Sequence, residues 1–193
     1  MSRYFRELSV TAALILVLLG LAVFAPAFYQ PQPLLSLLTR EAPTLVVACG
    51  MALVIISRQI DISVGSQFSV CSVCAGLLAA RGWPVALVLP ASVGLGAVLG
   101  AVNGALVAGL GLPSIVVTLA TMVTLRQGLN LVRQGEFVNL PDGLQWFGLG
   151  QAAGQWTLVA VSLALLAAVS LALRHLAAGR QVYAVGTNAE AAR

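Results

Sequence analysis

Six apolar runs separated by polar segments dominate the chain. They cover residues 10–28, 45–56, 67–80, 85–110, 114–131 and 156–173. A helix needs about 20 residues to cross the ~30 Å hydrocarbon layer of a membrane. The second run is too short for this, so its helix is expected to begin upstream, near residues 34–41, although three prolines mark residues 30–44 as a broken loop. The pattern predicts an all-α integral membrane protein with about six transmembrane helices.

Composition agrees with this prediction and excludes several classes of function. Of the 193 residues, 60% are hydrophobic and only 8% are charged, against roughly one quarter charged in soluble domains. All ten basic residues are arginines, so the lysine of an ATP-binding P-loop is missing. The single histidine, His175, excludes a multi-histidine metal site, and Cys71 and Cys74 are interpreted as small packing residues. The sequence predicts no catalytic residue, no metal site and no cofactor in this chain, and no nucleic-acid partner.

The first apolar run follows Arg3 and Arg6 and is similar in layout to a secretory signal peptide. It is longer than a signal core and has no clean cleavage site, so we interpret it as a retained anchor. With the N-terminus in the cytoplasm, six of the ten arginines lie on the inner side, a weak positive-inside bias. Arg126 and Arg133, late in the fifth run, are expected to snorkel towards an interface.

A polar insert, Arg-Gln-Ile-Asp-Ile-Ser-Val-Gly-Ser at residues 58–66, separates the second and third runs. A carboxylate in a membrane is expensive, so Asp61 is expected to cap a helix, meet water or pair with Arg58. Asp61 or Ser63 can accept hydrogen bonds from the free amides at the start of the next helix. A helix cap and a direct role in a transport path both remain open.

Two further polar residues lie within apolar runs. Asn103 either lines a pathway or bonds to a neighbouring helix. Thr118 is the first of three threonines spaced three residues apart, which either face a pathway or bond to their own helix backbone. Glycines recur every four residues next to Asn103, at positions 96, 100 and 104. This stripe predicts the close approach of another helix.

Three stretches together resemble the permease subunits of bacterial ABC importers of the ribose, xylose, rhamnose and autoinducer-2 type. The first is Gly-Met-Ala-Leu-Val-Ile at residues 50–55, followed by Ile-Asp-Ile-Ser-Val-Gly-Ser at 60–66. The second is Asn-Gly-Ala-Leu-Val at 103–107, followed by residues 112–122, and the third is residues 179–193. Many of these sugar permeases have Gly-Gly where this chain has Arg58 and Gln59, a variant that looks more like rhamnose or autoinducer-2 permeases.

The resemblance implies that residues 1–193 form a single transmembrane permease domain that is incomplete, the N-terminal portion of a ten-helix permease. Residues 174–193 would begin the cytoplasmic segment that docks on the ATP-binding subunit. The expected roles are a helix break for Asp61 and Ser63, the substrate pathway for Asn103 and Thr118, and ATPase coupling for Gly186, Asn188, Glu190 and Ala191.

The function implied is translocation of a sugar such as rhamnose or ribose across the bacterial inner membrane, without catalysis by this chain. The implied partners are an ABC subunit that hydrolyses ATP, a second permease copy or paralogue, a periplasmic sugar-binding protein and membrane lipid. Import of autoinducer-2 and a transport-incompetent truncated remnant are alternatives. An ion-coupled secondary transporter, with Asp61 carrying protons, is a further one. The solute, and whether the permease pairs as a homodimer or a heterodimer, are left open.

Overall fold

The computed structural model describes residues 2–141 and 146–187, with side chains from residue 7 onward. Regular structure in these residues is helical throughout. The α-helices in chain order are α1 Ser2–Phe24, α2 Pro31–Ile56, α3 Val64–Ala80, α4 Val85–Gly104, α5 Ser114–Arg133, α6 Gln151–His175 and α7 Ala177–Thr187. A 3-10 helix, Pro26–Tyr29, joins α1 to α2, and a π-helical turn, Ala105–Gly109, extends α4.

Length and apolar composition suit most of these helices to a membrane. Five of those described, namely α1, α2, α4 with its π-helical turn, α5 and α6, are long and apolar enough to span it. Helix α3 is apolar but has only 17 residues, or about 25 Å at ~1.5 Å per residue. The non-helical residues before α3 must therefore supply the rest of its crossing. The prediction of an all-α membrane protein with about six membrane helices is confirmed.

Helix α2 corrects the expectation of a broken loop over residues 30–44. Pro31 and Pro33 lie in its first turn, where a proline removes no hydrogen bond that the helix would make. Pro43 lies inside the helix. Membrane helices tolerate such prolines because neighbouring helices and local adjustments satisfy the freed carbonyl. The side chains of Leu35 and Ala42 are buried within this stretch and pack it into the bundle, and the expected upstream start of the second helix is correct.

The helices pack in two groups. Helix α2 lies along α6, and α3 contacts both α4 and α5. The Gln32 side chain at the start of α2 donates to the Gln155 side chain near the start of α6, at 3.2 Å, so these two helices run parallel. The Ile62 N–H donates to the Thr118 hydroxyl, and four residues further on in both segments the Ser66 hydroxyl donates to the Met122 carbonyl at 3.1 Å, so α3 runs parallel to α5. The end of α2, the starts of α3 and α5, and α7 consequently lie at one end of the bundle.

Helix α7 turns back from α6 and packs against the end of α2 through a glycine. A Cβ atom built on Gly186 would collide with the backbone carbonyl of Ile56 and approach Ser57 to 3.6 Å. A backbone atom cannot move aside as a flexible side chain can, so this contact requires glycine. Gly186 is buried, and it joins the last helix described to the residues that precede α3.

Replacing this glycine tests the contact. We expect Gly186→Ala to destabilise the packing of α7 on α2 by about 1–3 kcal/mol, the usual cost of overfilling a packed site. Amide hydrogen exchange in α7 should become faster and the apparent melting temperature in detergent should fall. Gly50→Ala is the matched control, because nothing lies within 4 Å of a Cβ at that position of α2. Equal exchange rates in α7 of the wild type and Gly186→Ala would contradict the contact.

Candidate functional site

The candidate site begins where α2 ends. The Arg58 N–H donates to the Ile55 carbonyl at 2.9 Å, and the Gln59 N–H donates to the Val54 carbonyl at 3.0 Å. These two bonds form a Schellman motif, which closes a helix with one residue in the left-handed region. Arg58 is that residue, with φ of +57°. Glycine is favoured there, because a side chain in this conformation costs about 1–2 kcal/mol.

This geometry explains why a glycine would suit the position of Arg58. Arg58 is the first residue of the Arg-Gln pair that replaces the Gly-Gly of many of the sugar permeases that the chain resembles. In the residues described here no ion pair joins Arg58 to Asp61. Of the three alternatives for Asp61, pairing with Arg58 is therefore not found, and the carboxylate has other partners.

Two side chains of α5 satisfy the backbone between α2 and α3. The Ile60 N–H donates to the Ser114 hydroxyl at 3.3 Å, and the Ile62 N–H donates to the Thr118 hydroxyl at 3.2 Å. The Thr118 hydroxyl in turn donates to the Ser114 carbonyl at 2.8 Å. Ser114 and Thr118 lie four residues apart and share one face of α5. This face of α5 therefore holds the non-helical segment in place through hydrogen bonds to its backbone.

The Asp61 carboxylate organises the start of α3. Its Oδ1 accepts the Ser63 N–H at 2.8 Å and the Ser63 hydroxyl at 2.5 Å. Ser63 occupies the N-cap position itself but makes no capping bond with its own side chain. A carboxylate at the start of a helix is also stabilised by the positive end of the helix dipole. Of the roles that the sequence left open, the structure shows Asp61 structuring the helix start.

Ser63 is the centre of a buried network that joins three helices. Its hydroxyl oxygen accepts from the Gln67 side chain at 2.7 Å and from the Asn103 side chain at 3.0 Å. The Asn103 carbonyl oxygen accepts from the Thr121 hydroxyl at 2.7 Å. Ser63 is fully buried and Asn103 is 5% exposed. Asn103 therefore makes hydrogen bonds between helices, one of the two uses that the sequence left open.

A cavity of about 310 Å³ lies beside this network. Its polar lining residues are Ser57, Gln59, Asp61, Asn103, Ser114 and Thr118. Val182 of α7 borders the same cavity. The helix break, α4, α5 and α7 thus meet around one volume at one end of the bundle.

The glycines of the α4 stripe have two different surroundings, a neighbouring helix and the cavity. A Cβ on Gly96 would lie 3.5 Å from the Cys71 sulfur of α3, as the sequence predicted for close helix approach. Gly100 and Gly104 have nothing within 4 Å and line the cavity instead. The π-helical turn follows directly, and such turns occur often at functional sites because they interrupt the regular helix ladder.

The positions predicted from the sequence fall in three places. Asp61, Asn103 and Thr118 line the cavity and Ser63 lies buried behind them, while Gly186 lies on α7 against α2. The proposed coupling residues Asn188, Glu190 and Ala191 lie outside the described residues.

Sequence reasoning missed three participants, namely Gln67, Ser114 and Val182. Ser114 had a usable signal, because it precedes Thr118 by one helical turn and starts a helix directly after Pro113. Gln67 had one as well, since it lies four residues after Ser63. Val182 had none, because an apolar residue on a short helix gives no indication that it will border a cavity formed by distant segments.

Residues 34–193 match the model of a protein family described as the permease component of a branched-chain amino acid transport system. This match covers most of the chain. The chain belongs to this permease family. The family is one of transport permeases rather than enzymes, and together with the apolar helices the match establishes a multi-pass membrane protein.

Relatives match over nearly the whole chain. The autoinducer 2 import system permease protein LsrC of Enterobacter sp. strain 638 is 33% identical over 97% of this chain and 55% of its own length. The galactofuranose transporter permease protein YtfT of Escherichia coli is 35% identical over 94% of this chain and 56% of its own length. The ribose import permease protein RbsC of Escherichia coli is 30% identical over 94% of this chain and 58% of its own length.

The chain thus spans somewhat more than half the length of these relatives. No solved structure matches it. The solutes in the names of these three relatives are autoinducer 2, galactofuranose and ribose.

The Schellman motif gives a first prediction for this site. Arg58→Gly should stabilise the folded chain by about 1 kcal/mol, because glycine adopts a positive φ without the steric cost that a side chain meets. The apparent melting temperature in detergent should rise. Gln59→Gly is the matched control, since Gln59 does not have a positive φ, and it should bring no gain. An unchanged or lower melting temperature for Arg58→Gly would show that the arginine side chain contributes more than its backbone costs.

Asp61 gives a second prediction. Asp61→Ala removes the acceptor of the Ser63 N–H and hydroxyl, and an unpaired buried donor costs about 1–3 kcal/mol. We expect less folded protein in membranes and a lower melting temperature. Asp61→Asn retains an oxygen at the same place and should keep most of the stability. If Asp61→Asn were as damaging as Asp61→Ala, the negative charge rather than the hydrogen-bond acceptor would be the important property.

Proposed function

We propose that the chain is a permease subunit of an ABC importer that moves a sugar, such as rhamnose or ribose, across the bacterial inner membrane. The observation that carries this proposal is the similarity over 94–97% of the chain to three import permeases. The proposed partners are an ABC subunit that hydrolyses ATP, a second permease copy or paralogue and a periplasmic sugar-binding protein.

The proposed orientation has the N-terminus in the cytoplasm. In this orientation the end of α2, the helix break and α7 all face the cytoplasm, where an ATP-binding subunit would dock. Arg174 and Arg180, which flank the start of α7, then lie on the inner side, as the positive-inside rule favours.

The proposed mechanism uses α7 as the link between the ATPase and the cavity. Gly186 contacts the carbonyl of Ile56 at the end of α2, and Val182 borders the cavity that contains Asp61. A displacement of α7 by the docked ATPase would therefore change both the end of α2 and the wall of the cavity. Gly186, Asn188, Glu190 and Ala191 are the residues proposed for this coupling, and Asn103 and Thr118 are proposed to border the path of the solute.

Import of autoinducer-2 is the second candidate. It is favoured by the 33% identity with an autoinducer 2 import permease over 97% of this chain, and by the Arg-Gln pair before Asp61. The two candidates share the machinery and differ in the solute, so one transport assay can separate them.

The test is uptake by proteoliposomes that contain the chain, the ATP-binding subunit that copurifies with it and the binding protein. Labelled ribose, rhamnose and autoinducer-2 are offered in turn. We expect uptake of one of them to require ATP and to stop when the P-loop lysine of the ATP-binding subunit is replaced. A protonophore should leave the uptake unchanged, because this chain is proposed to couple transport to ATP hydrolysis.

Two results would contradict the proposal. Uptake that survives the P-loop substitution but stops with the protonophore would identify an ion-coupled secondary transporter. A chain that inserts into membranes, binds no ATP-binding subunit and supports no uptake would be a transport-incompetent remnant.

A further inference from the structure

A second cavity, open to the surface, lies between α3 and α5 and shares no lining residue with the first; Ser69, Arg126 and Asn130 in its lining are exposed. Its volume is about 400 Å³. Gly65, Ser66 and Ser69 of α3 line it together with Arg126, Leu129 and Asn130 of α5. Its lining therefore includes a cation, an amide and two hydroxyl groups, within a protein that has few polar side chains in its membrane helices.

Arg126 lies well inside its membrane helix. It is twelve residues after the start of α5 and seven before its end, which is ~18 Å and ~10 Å from the two ends at 1.5 Å per residue. In a helix each Cα–Cβ bond tilts towards the N-terminus, so this side chain leans away from the nearer end. The cavity extends in both directions from Arg126: Ser66 bonds to Met122, one turn before it, and Leu129 and Asn130 lie one turn after it. Snorkelling to the nearer interface is opposed by this direction.

The guanidinium of Arg126 has unused hydrogen-bond donors. Among the residues that the structure describes, Arg126 makes no hydrogen bond or ion pair, whereas Arg133 at the end of α5 lies 3.7 Å from the Glu136 carboxylate. An arginine in the middle of a membrane helix costs about 2.5–3.5 kcal/mol when it faces lipid, and such residues usually face a protein interior or a water-filled cavity. The face of α3 and α5 that carries Arg126 is thus unsuited to contact with lipid tails.

The two serines present acceptors to this cavity rather than donors. The Ser66 hydroxyl already donates to the Met122 carbonyl, and the Ser69 hydroxyl donates to the Gly65 carbonyl at 3.0 Å. The remaining capacity of each oxygen is its lone pairs. An anion has only acceptors and would meet these lone pairs unfavourably. A solute hydroxyl can donate to the serine oxygens and accept from Arg126, and the Asn130 amide can do either.

We propose that this cavity binds a neutral solute with several hydroxyl groups, such as a monosaccharide, on its way through the membrane. The inference deepens the proposed function, on which it rests for the class of solute. A volume of about 400 Å³ lies in the range of ~300–1,000 Å³ typical of small-molecule sites. The solute would then contact the cavity at Arg126 in addition to the proposed path past Asn103 and Thr118 in the cavity beside Asp61.

The first test is whether water reaches the cavity. In the full chain with Cys49, Cys71 and Cys74 replaced by alanine, Ser69→Cys places a reporter thiol on the lining. The chain is inserted in nanodiscs of phosphatidylethanolamine and phosphatidylglycerol and treated with a charged, membrane-impermeant thiol reagent, which reacts only with a hydrated thiolate. Ser69→Cys should be labelled. Leu16→Cys is the control, because Leu16 is 69% exposed on α1 and should remain unlabelled in lipid.

The second test is protection by the solute. Ribose or rhamnose should slow the labelling of Ser69→Cys, and ethylene glycol at equal osmolarity should not. Arg126→Leu should raise the sugar concentration needed for half protection at least tenfold, and Arg126→Lys should raise it less. Arg81→Leu, which removes an arginine from the turn between α3 and α4, should leave protection unchanged.

Three results would overturn this inference. The first is that Ser69→Cys resists the reagent, as a lipid-covered or protein-covered residue would. The second is labelling that no sugar slows. The third is protection by inorganic phosphate but not by sugars, which would identify an anion site. If ATP-dependent uptake occurs but Ser69→Cys is not labelled, only this inference is wrong. If sugars protect Ser69→Cys but there is no ATP-dependent uptake, the proposed function is wrong and sugar binding in this cavity is still supported.

Discussion

The backbone that leaves a helix inside a membrane needs new hydrogen-bond partners, and the structure of this chain depends on how residues 57–63 find them. Water is not available in the hydrocarbon layer, so each unpaired amide or carbonyl there costs several kcal/mol. The partners here are side chains of a distant helix and one carboxylate: Ser114, Thr118 and Asp61. These bonds pair the non-helical backbone even though Ile60 and Ile62 are exposed, and the segment lines the cavity at this end of the bundle.

This solution fixes more than the local backbone. Because Ser63 accepts from Asn103, and Asn103 accepts from Thr121, the same bonds set the positions of α3, α4 and α5 relative to one another. None of these bonds includes a residue of α7. Helix α7 instead packs against the end of α2 through Gly186 and borders the cavity through Val182. If α7 moves as proposed, the wall of the cavity at Val182 would change while the hydrogen bonds among α3, α4 and α5 could remain in place.

The sequence predicted the helices well because membrane crossing requires length and apolar composition, which are read directly from the residues. It failed over residues 30–44, since proline was treated as in a soluble protein, whereas α2 tolerates Pro43 by packing on α6. The importance of Asp61, Asn103 and Thr118 was visible because each is a polar residue in an apolar run. Their partners were harder to find, since the bond between Ser63 and Asn103 joins residues 40 positions apart. Only the fold brings such residues together.

The difference between the two cavities shows why a polar residue in a membrane helix is weak evidence for contact with a solute. Asp61, Ser63 and Asn103 are the residues that the sequence singles out, yet their hydrogen-bonding capacity is largely used within the protein. A group that is already bonded can bind a solute only by giving up a partner, which costs about as much as it gains. Arg126 has no such bond to give up among the described residues. Under the proposed transport function, the donors that remain unused after folding are therefore stronger candidates for contact with a solute than groups that are already bonded within the protein.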